Sequence, residues 1–536
     1  VSHLLQKADL LLVLHAHLPF VRSPEHARFL EENWFFEALT ESYIPLVLSL
    51  QRSAERGLPG TINLSISPPL LHMLVDPLLQ ERYSLHLERV EELLENELAR
   101  HPAGSDRHTA ASFYRSRIRS IRHAWEQRFQ RNLIPTLLEL QDMGKLEILT
   151  CVGTHPYLPA YQSHPASIRF QLTITAESCK NILGFVPKGL WIPECGYFDG
   201  LDSLVKEAGF GYCFLETHGV LLARPEPAYG VFAPIQSSQK VSFFGRDQAS
   251  SREVWSRQIG YPGHPEYREF FKDLAHELSH EELGDYFVAA GNAIHTGIKY
   301  HRITGSEQKE AYHPYKAQQL AREHGRMFLR NREAQVAELS PHMSHAPCIV
   351  APYDAELFGH WWYEGPEFLE SVMERAAISE TVRLSSASYV LEKNRSESAT
   401  VHEPAFSSWG EGGYGSVWIN DEVDWVYPLF YSMLSQFQQA FRQFRTGGFS
   451  GRVLAQMARE LTLLQASDWA FMIHNRSAEG YAKNRVQEHH ANFIKLHSLL
   501  KEGRTQSRFL NDLEKKNNIF PWLGPQHYRL LANAGA

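Results

Sequence analysis

The strongest constraint in the sequence is a recurring pattern, in which a short apolar run stops abruptly at a proline, a glycine or a cluster of polar side chains. LLLVLHAHLP (10–19) comes first, followed by TINLSISPP (61–69), LEILTCVGTHPYLP (146–159) and KGLWIPECGYF (188–198). GYCFLETHG (211–219), DYFVAAGNAIH (285–295) and CIVAPYDAELFGHWW (348–362) complete the series. Such runs, about four to eight residues long, fit strands covered on both faces, as in a parallel sheet. The segments between them carry helical periodicity, so the chain predicts an α/β architecture. About seven strands suit a barrel, where working side chains sit at the C-terminal strand ends. Those ends carry His15, His17, Ser65, Ser67, His155, Glu194, Glu216, His295 and Asp354. An open doubly wound sheet also places its site at strand ends, so the clustering alone does not choose between the two.

The 536 residues fit two or three packed units, and an apolar fraction of 43% supplies a sizeable core. A helical insertion over about 78–142 separates the second run from the third. Tyr83, Leu87, Val90, Leu94 and Leu98 recur there at spacings of three and four. Tyr114, Ile118, Ile121, Trp125 and Phe129 form a second stripe, whose neighbouring arginines read as a solvated face. After residue 395 a loop rich in Gly, Ser and Trp (402–418) leads into segments with helical apolar spacing. Residues 1–395 are therefore expected to form the barrel with its insertion, and 396–536 a C-terminal helical domain.

Basic residues number 53 against 61 acidic, a net charge of −8. That balance cannot neutralise phosphates, which argues against a nucleic-acid partner and suits a neutral or weakly charged ligand. No stretch approaches a membrane span, so no membrane partner is expected. The N-terminal apolar run is broken by Asp9 and ends in histidines, which reads as a strand and not a leader. Cys151, Cys179, Cys195, Cys213 and Cys348 are odd in number, widely spaced and without a CxxC. Neither a disulfide framework nor a structural zinc is expected, and the setting reads as reducing and cytoplasmic.

Several motifs carry chemistry. HAHLP (15–19) puts His15 and His17 on one side of an extended segment, a spacing that serves metal ligation, polar substrate contact or structure alike. WIPECGYF (191–198) places Glu194 among apolar and aromatic neighbours, where a carboxyl needs a partner or a function. APYDAELFGHWW (351–362) does the same for Asp354, with Glu356 as a rival and Trp361 close by. Burial raises a carboxyl pKa, as a general acid near neutral pH requires. SSWGEGGYGSVW (407–418) joins glycine freedom to Trp409 and Trp418, as in a sugar-stacking loop or a structural turn. SDWAFM (467–472) puts Asp468 on a helix. Walker-type, GxSxG and HExxH signatures are missing, which removes support for nucleotide, serine-hydrolase and zincin chemistry.

Taken in order, HAHLPFVR, THPYLP, GLWIPECGY, APYDAELFGHWWYEGP, SSWGEGGY and SDWAFM resemble glycoside hydrolase family 57, and within it the α-1,4-glucan branching enzymes. The resemblance covers nearly the whole chain. It implies a distorted (β/α)7 barrel, a helical insertion and a C-terminal helical domain. It also implies retention of configuration on an α-glucan, with no metal or other cofactor. By resemblance Glu194 is the nucleophile and Asp354 the acid/base. His15, His17 and His155 match site histidines, and Trp361, Trp409, Trp418 and Asp468 are expected to bind substrate. A monomer or weak homo-oligomer is expected. Branching members carry a long active-site loop with a Tyr near its tip. APIQSSQKVSFFGRD (233–247) is aligned with that loop, and Gln236 stands where the Tyr is expected. The resemblance thus leaves an α-amylase or 4-α-glucanotransferase as the alternative to branching, with a non-catalytic glucan-binding protein behind both.

Overall fold

β1 (Ala8–Ala16) shows why the strands lack polar alternation: all nine of its residues are buried. Successive side chains point to opposite faces. Leu10, Leu12 and Leu14 enter the outer core beneath the helices, and Leu11 and Val13 enter a separate inner core. The computed structural model describes residues 7–256, 259–289, 291–394 and 400–532.

The remaining strands are β2 (Ile62–Ile66), β3 (Leu146–Cys151), β4 (Gly189–Trp191), β5 (Tyr212–Leu215), β6 (Ile235–Gln236) and β7 (Ser242–Gly245). After these come β8 (Val288–Ala289), β9 (Asn292–Ala293), β10 (Cys348–Asp354) and β11 (Val382–Leu384). The main sheet runs β10-β1-β2-β3-β4-β5-β7-β6, with β11 beside the foot of β1. β10, β1, β2, β3, β4, β5 and β7 are parallel, and β6 is an antiparallel edge. The curl is closed by main chain: the Asp247 amide, just past β7, donates to the Val350 carbonyl of β10 at 2.8 Å. The result is a distorted seven-stranded α/β barrel.

Its lumen is filled by Leu11, Val13, Leu149, Trp191, Phe214 and Phe244 among others, and Ala387 and Val390 of a short helix plug the foot. A filled lumen forces the next inward positions up to the rim. His15 stands level with Ser65 on one side and Asp354 on the other.

Two expectations are corrected. The run at 285–295 is not a barrel strand, because Gly291 turns in left-handed geometry (φ 78°) and β8 and β9 pair only with each other. Ala290 lies outside the described residues. The seventh parallel strand is β7, four buried residues hidden in the stretch read as a loop.

The insertion forms helices Pro77–Arg100, Asp106–His123 and Ile134–Asp142. Both apolar stripes face the core, and Arg115, Arg119 and Arg122 bridge to Glu91 and Glu95 of the neighbouring helix. Six helices from Val426–Gln443 to Pro525–Ala532 make the C-terminal region. The division drawn at 395/396 lies outside the described residues. All five cysteines are free and buried. Among the described residues no helix is long and apolar enough to cross a membrane.

Candidate active site

β4 ends at Trp191, and Ile192-Pro193 carry the chain to Glu194, whose backbone is left-handed (φ 60°, ψ 17°). That conformation costs about 1–2 kcal/mol for a non-glycine residue and persists only where the surroundings fix it. Here the Trp409 amide donates to the Glu194 carbonyl at 2.8 Å. The twist aims the carboxyl at the barrel rim. Its Oε2 accepts from Trp409 Nε1 at 2.7 Å and its Oε1 from the Ser467 hydroxyl at 2.6 Å. Both donors belong to the last third of the chain.

Asp354 closes β10 and is half-buried. Among the described residues nothing donates a hydrogen bond to its carboxyl, so it stays free for a ligand. Burial pushes Asp354 up to about 6, against the pull of Arg246 and His17. Burial likewise pushes Glu194 up to about 7, opposed by the Ser467 and Trp409 donors and reinforced by the charges of Asp468 and Asp354. Glu356, the rival, is buried and turned inward. Its Oε1 accepts from the His17 amide at 3.1 Å and from the Tyr43 hydroxyl. Burial, then the neighbouring Asp354 charge, raise it to about 8.

The histidines form a stack on Trp191: His15 lies 4.8 Å from its ring, and His155 lies 3.8 Å from His17. His15 joins Ser65 (3.2 Å) and His155 (3.0 Å), and His155 joins Ser467 (2.8 Å). Burial first, then neighbouring imidazoles, hold His15 and His155 well below the ordinary histidine range, which keeps both neutral. His17 joins Ser67 at 2.8 Å and Asp468 at 3.1 Å. Burial opposes its charge, but Asp468 prevails and raises it. His15, Cys151 and His155, and separately His17, His155 and Asp468, bring one donor atom each within 4.8 Å, the spacing of a metal site. Every ring nitrogen of the three histidines is already engaged by a serine, by Asp468 or by another imidazole.

The structure thus brings together Glu194, Asp354, His15, His17, His155, Trp409 and Asp468. It does not bring Gln236. Gln236 pairs with Ser242 at the start of β7, so it sits at the N-terminal end of the strands, opposite the rim. The segment 233–247 is a strand edge and not a loop over the carboxyls. Trp418 is 1% exposed and stacks on Tyr157 at 5.0 Å, with no face open to a sugar. Trp361 is 54% exposed and stacks on Phe270 at 4.4 Å, one face outward. His295 pairs with His276 on the separate hairpin, away from the stack.

Two site residues escaped the sequence reading. Arg246 follows β7 and holds Glu216 at 2.9 Å and the Ser251 hydroxyl at 2.7 Å, with its guanidinium 5.8 Å over Trp409. Recognising SFFG as a strand would have put it at a strand end. Ser467 precedes Asp468 in a motif already singled out, but a serine there carries no signature of its own.

A filled parallel barrel that gathers two unlike carboxyls at the C-terminal ends of its strands is the arrangement of a glycoside-cleaving enzyme. The family model of glycosyl hydrolase family 57 matches residues 11–346, and the model described as 1,4-alpha-glucan branching enzyme, C-terminal, matches residues 430–528. The chain belongs to glycosyl hydrolase family 57. The crystal structure of the novel alpha-amylase AmyC from Thermotoga maritima is similar with a TM-score of 0.90 and 37% identity, covering 98% of this chain and 99% of that one. The 1,4-alpha-glucan branching enzyme TK1436 from Thermococcus kodakarensis is 32% identical over 96% of this chain and 77% of its own length. The crystal structure of a GH57-type branching enzyme from Pyrococcus horikoshii has a TM-score of 0.85 and 30% identity, covering 98% and 97%.

Proposed function

We propose that this protein is a retaining 1,4-α-glucan branching enzyme with Glu194 as nucleophile and Asp354 as acid/base. The observation that carries the reading is the unlike setting of the two carboxyls: Glu194 is buried and clamped by two donors, and Asp354 is half-buried and left free. Two donors that favour the anion suit Glu194 to attack on the anomeric carbon, and a free carboxyl suits Asp354 to proton transfer; with burial raising Glu194 to about 7 and Asp354 to about 6, the working form, Glu194 ionised and Asp354 protonated, is the minor one. Glu194 bonds to the anomeric carbon while the bond to the leaving oxygen breaks, and Asp354 gives that oxygen its proton. The resulting glycosyl-enzyme is resolved when Asp354 takes the proton of an incoming 6-hydroxyl, which forms the branch and frees Glu194. The Trp409 and Ser467 donors favour the anion on Glu194, where positive charge develops on the sugar. The branching-type C-terminal match and the branching relatives support the choice of acceptor. The net charge of −8 and five buried free thiols support a cytoplasmic enzyme acting on a neutral glucan.

A mainly hydrolytic enzyme is the second reading. It is favoured by the likeness to the α-amylase from Thermotoga maritima and by residues 233–241, which lie ahead of β7 at the foot of the barrel and so do not cover the rim to exclude water. Incubation with amylose decides between them. New α-1,6 linkages in excess of new reducing ends support branching, and reducing ends alone support hydrolysis. Glu194→Gln and Asp354→Asn are each expected to remove turnover, and full activity in either would refute its assigned role.

A further inference from the structure

With Glu194 ionised, the hydrogen bonds behind it form a chain with only one possible direction. A carboxylate only accepts, so the Ser467 hydroxyl must spend its single hydrogen on Glu194 Oε1 at 2.6 Å. Ser467 Oγ can then only accept from His155 Nδ1 at 2.8 Å. A neutral imidazole protonated at Nδ1 has a lone pair at Nε2, so the 3.0 Å contact requires the hydrogen on His15 Nε2. His15 Nδ1 in turn accepts from the Ser65 hydroxyl at 3.2 Å. Both rings are buried, at 2% and 4% exposure. The charge of His17, stacked 3.8 Å from His155, works against a second proton there.

The geometry points to Ser467 as a positioning residue for the nucleophile, locked as a one-way donor by the chain Ser65–His15–His155. A serine hydroxyl is a rotor. With its lone pair taken by His155 Nδ1–H, the rotor has one good orientation, towards Glu194, and no reorganisation is needed as the reaction proceeds. On this assignment His15 and His155 give no ring-nitrogen hydrogen bond to the glucan, because each spends both ring nitrogens inside the protein. The main chain holds the arrangement, since the Ser467 amide donates to the His155 carbonyl at 2.8 Å.

The inference rests on Glu194 as nucleophile, and its test separates the two. Neutron diffraction of the full chain, at a pH where Glu194 is ionised, is expected to find deuterium on His155 Nδ1, on His15 Nε2 and on Ser467 Oγ facing Glu194. Deuterium on His155 Nε2 would overturn the assignment. Ser467→Ala is expected to lower kcat about ten- to hundred-fold, the worth of a hydrogen bond to a charged group, with KM within about threefold, and Ser467→Thr to recover most of the loss. An unchanged kcat in Ser467→Ala, or a change in KM alone, would refute the positioning role. Full turnover in Glu194→Gln would remove the nucleophile reading beneath it, whatever the deuterium positions.

Discussion

At the scale of single residues, Glu194 is held where a carboxylate is uncomfortable. Its folded pKa of about 7 stands above the usual 4.5, so the folded chain binds this proton more tightly than the unfolded chain. Stability from this group is therefore intact below about pH 4.5 and falls as pH rises towards 7, by about 3 kcal/mol in total. Glu194→Gln, which cannot ionise, is expected to raise Tm at about pH 8 and to leave it close to wild type at about pH 4. Equal shifts at the two pH values, read by calorimetry, would contradict burial as the cause. Arg246 acts on the other carboxyl, drawing Asp354 down against its burial. On the proposed roles, loss of the Asp354 proton contributes to the basic limb of the kcat/KM profile. Arg246→Gln should therefore move that limb to higher pH on a soluble maltooligosaccharide, and a move to lower pH would count against the assignment. The rim placement of Glu194 and Asp354 was legible because each is a carboxyl at an apolar, Pro-containing strand end, though Glu356 stood as a rival to Asp354. Ser467 and Arg246 were not, because a serine on a helix and an arginine after a four-residue SFFG run look the same in any surface segment.

At the scale of elements, the strands with long apolar runs were readable and the short one was not. β1 and β10 span nine and seven residues and advertise burial on both faces. β7 has four, SFFG, and its partner β6 only two, so periodicity had nothing to measure. β8 and β9 misled for the opposite reason: the run at 285–295 is mostly apolar, but Gly291 turns the chain and the two pair only with each other. Placing β6 and β7 also moves Gln236 from the rim to the foot of the barrel. Gln236→Tyr and Gln236→Ala should accordingly leave the ratio of new α-1,6 linkages to new reducing ends as it is in the wild type. A ratio displaced severalfold by either change would mean that this segment does reach the substrate.

At the scale of the whole molecule, the barrel and the C-terminal helices share one core. Leu12 and Ile148 belong to the same contiguous apolar cluster as Met457, Leu461 and Phe493. Main-chain bonds cross between the two parts: the Ser467 amide reaches His155, and the Trp409 amide reaches Glu194. A single calorimetric unfolding transition is the expected outcome, and two resolved transitions would show that the parts melt separately. The composition shift after residue 395 announced the helices but could not announce this, since sequence distance hides which helix end meets which strand end.

The same arrangement has a consequence in time. Ser467 lies 273 residues beyond the carboxyl it clamps and 312 beyond the imidazole that orients it. A ribosome adding about 5–20 residues per second needs roughly 15–55 seconds to cover the first of those distances. Throughout that interval the strand bearing Glu194 has left the decoding centre while its clamp has not been translated. A nascent chain, or one cut short by premature termination, therefore carries Glu194 without the hydroxyl that bonds to it.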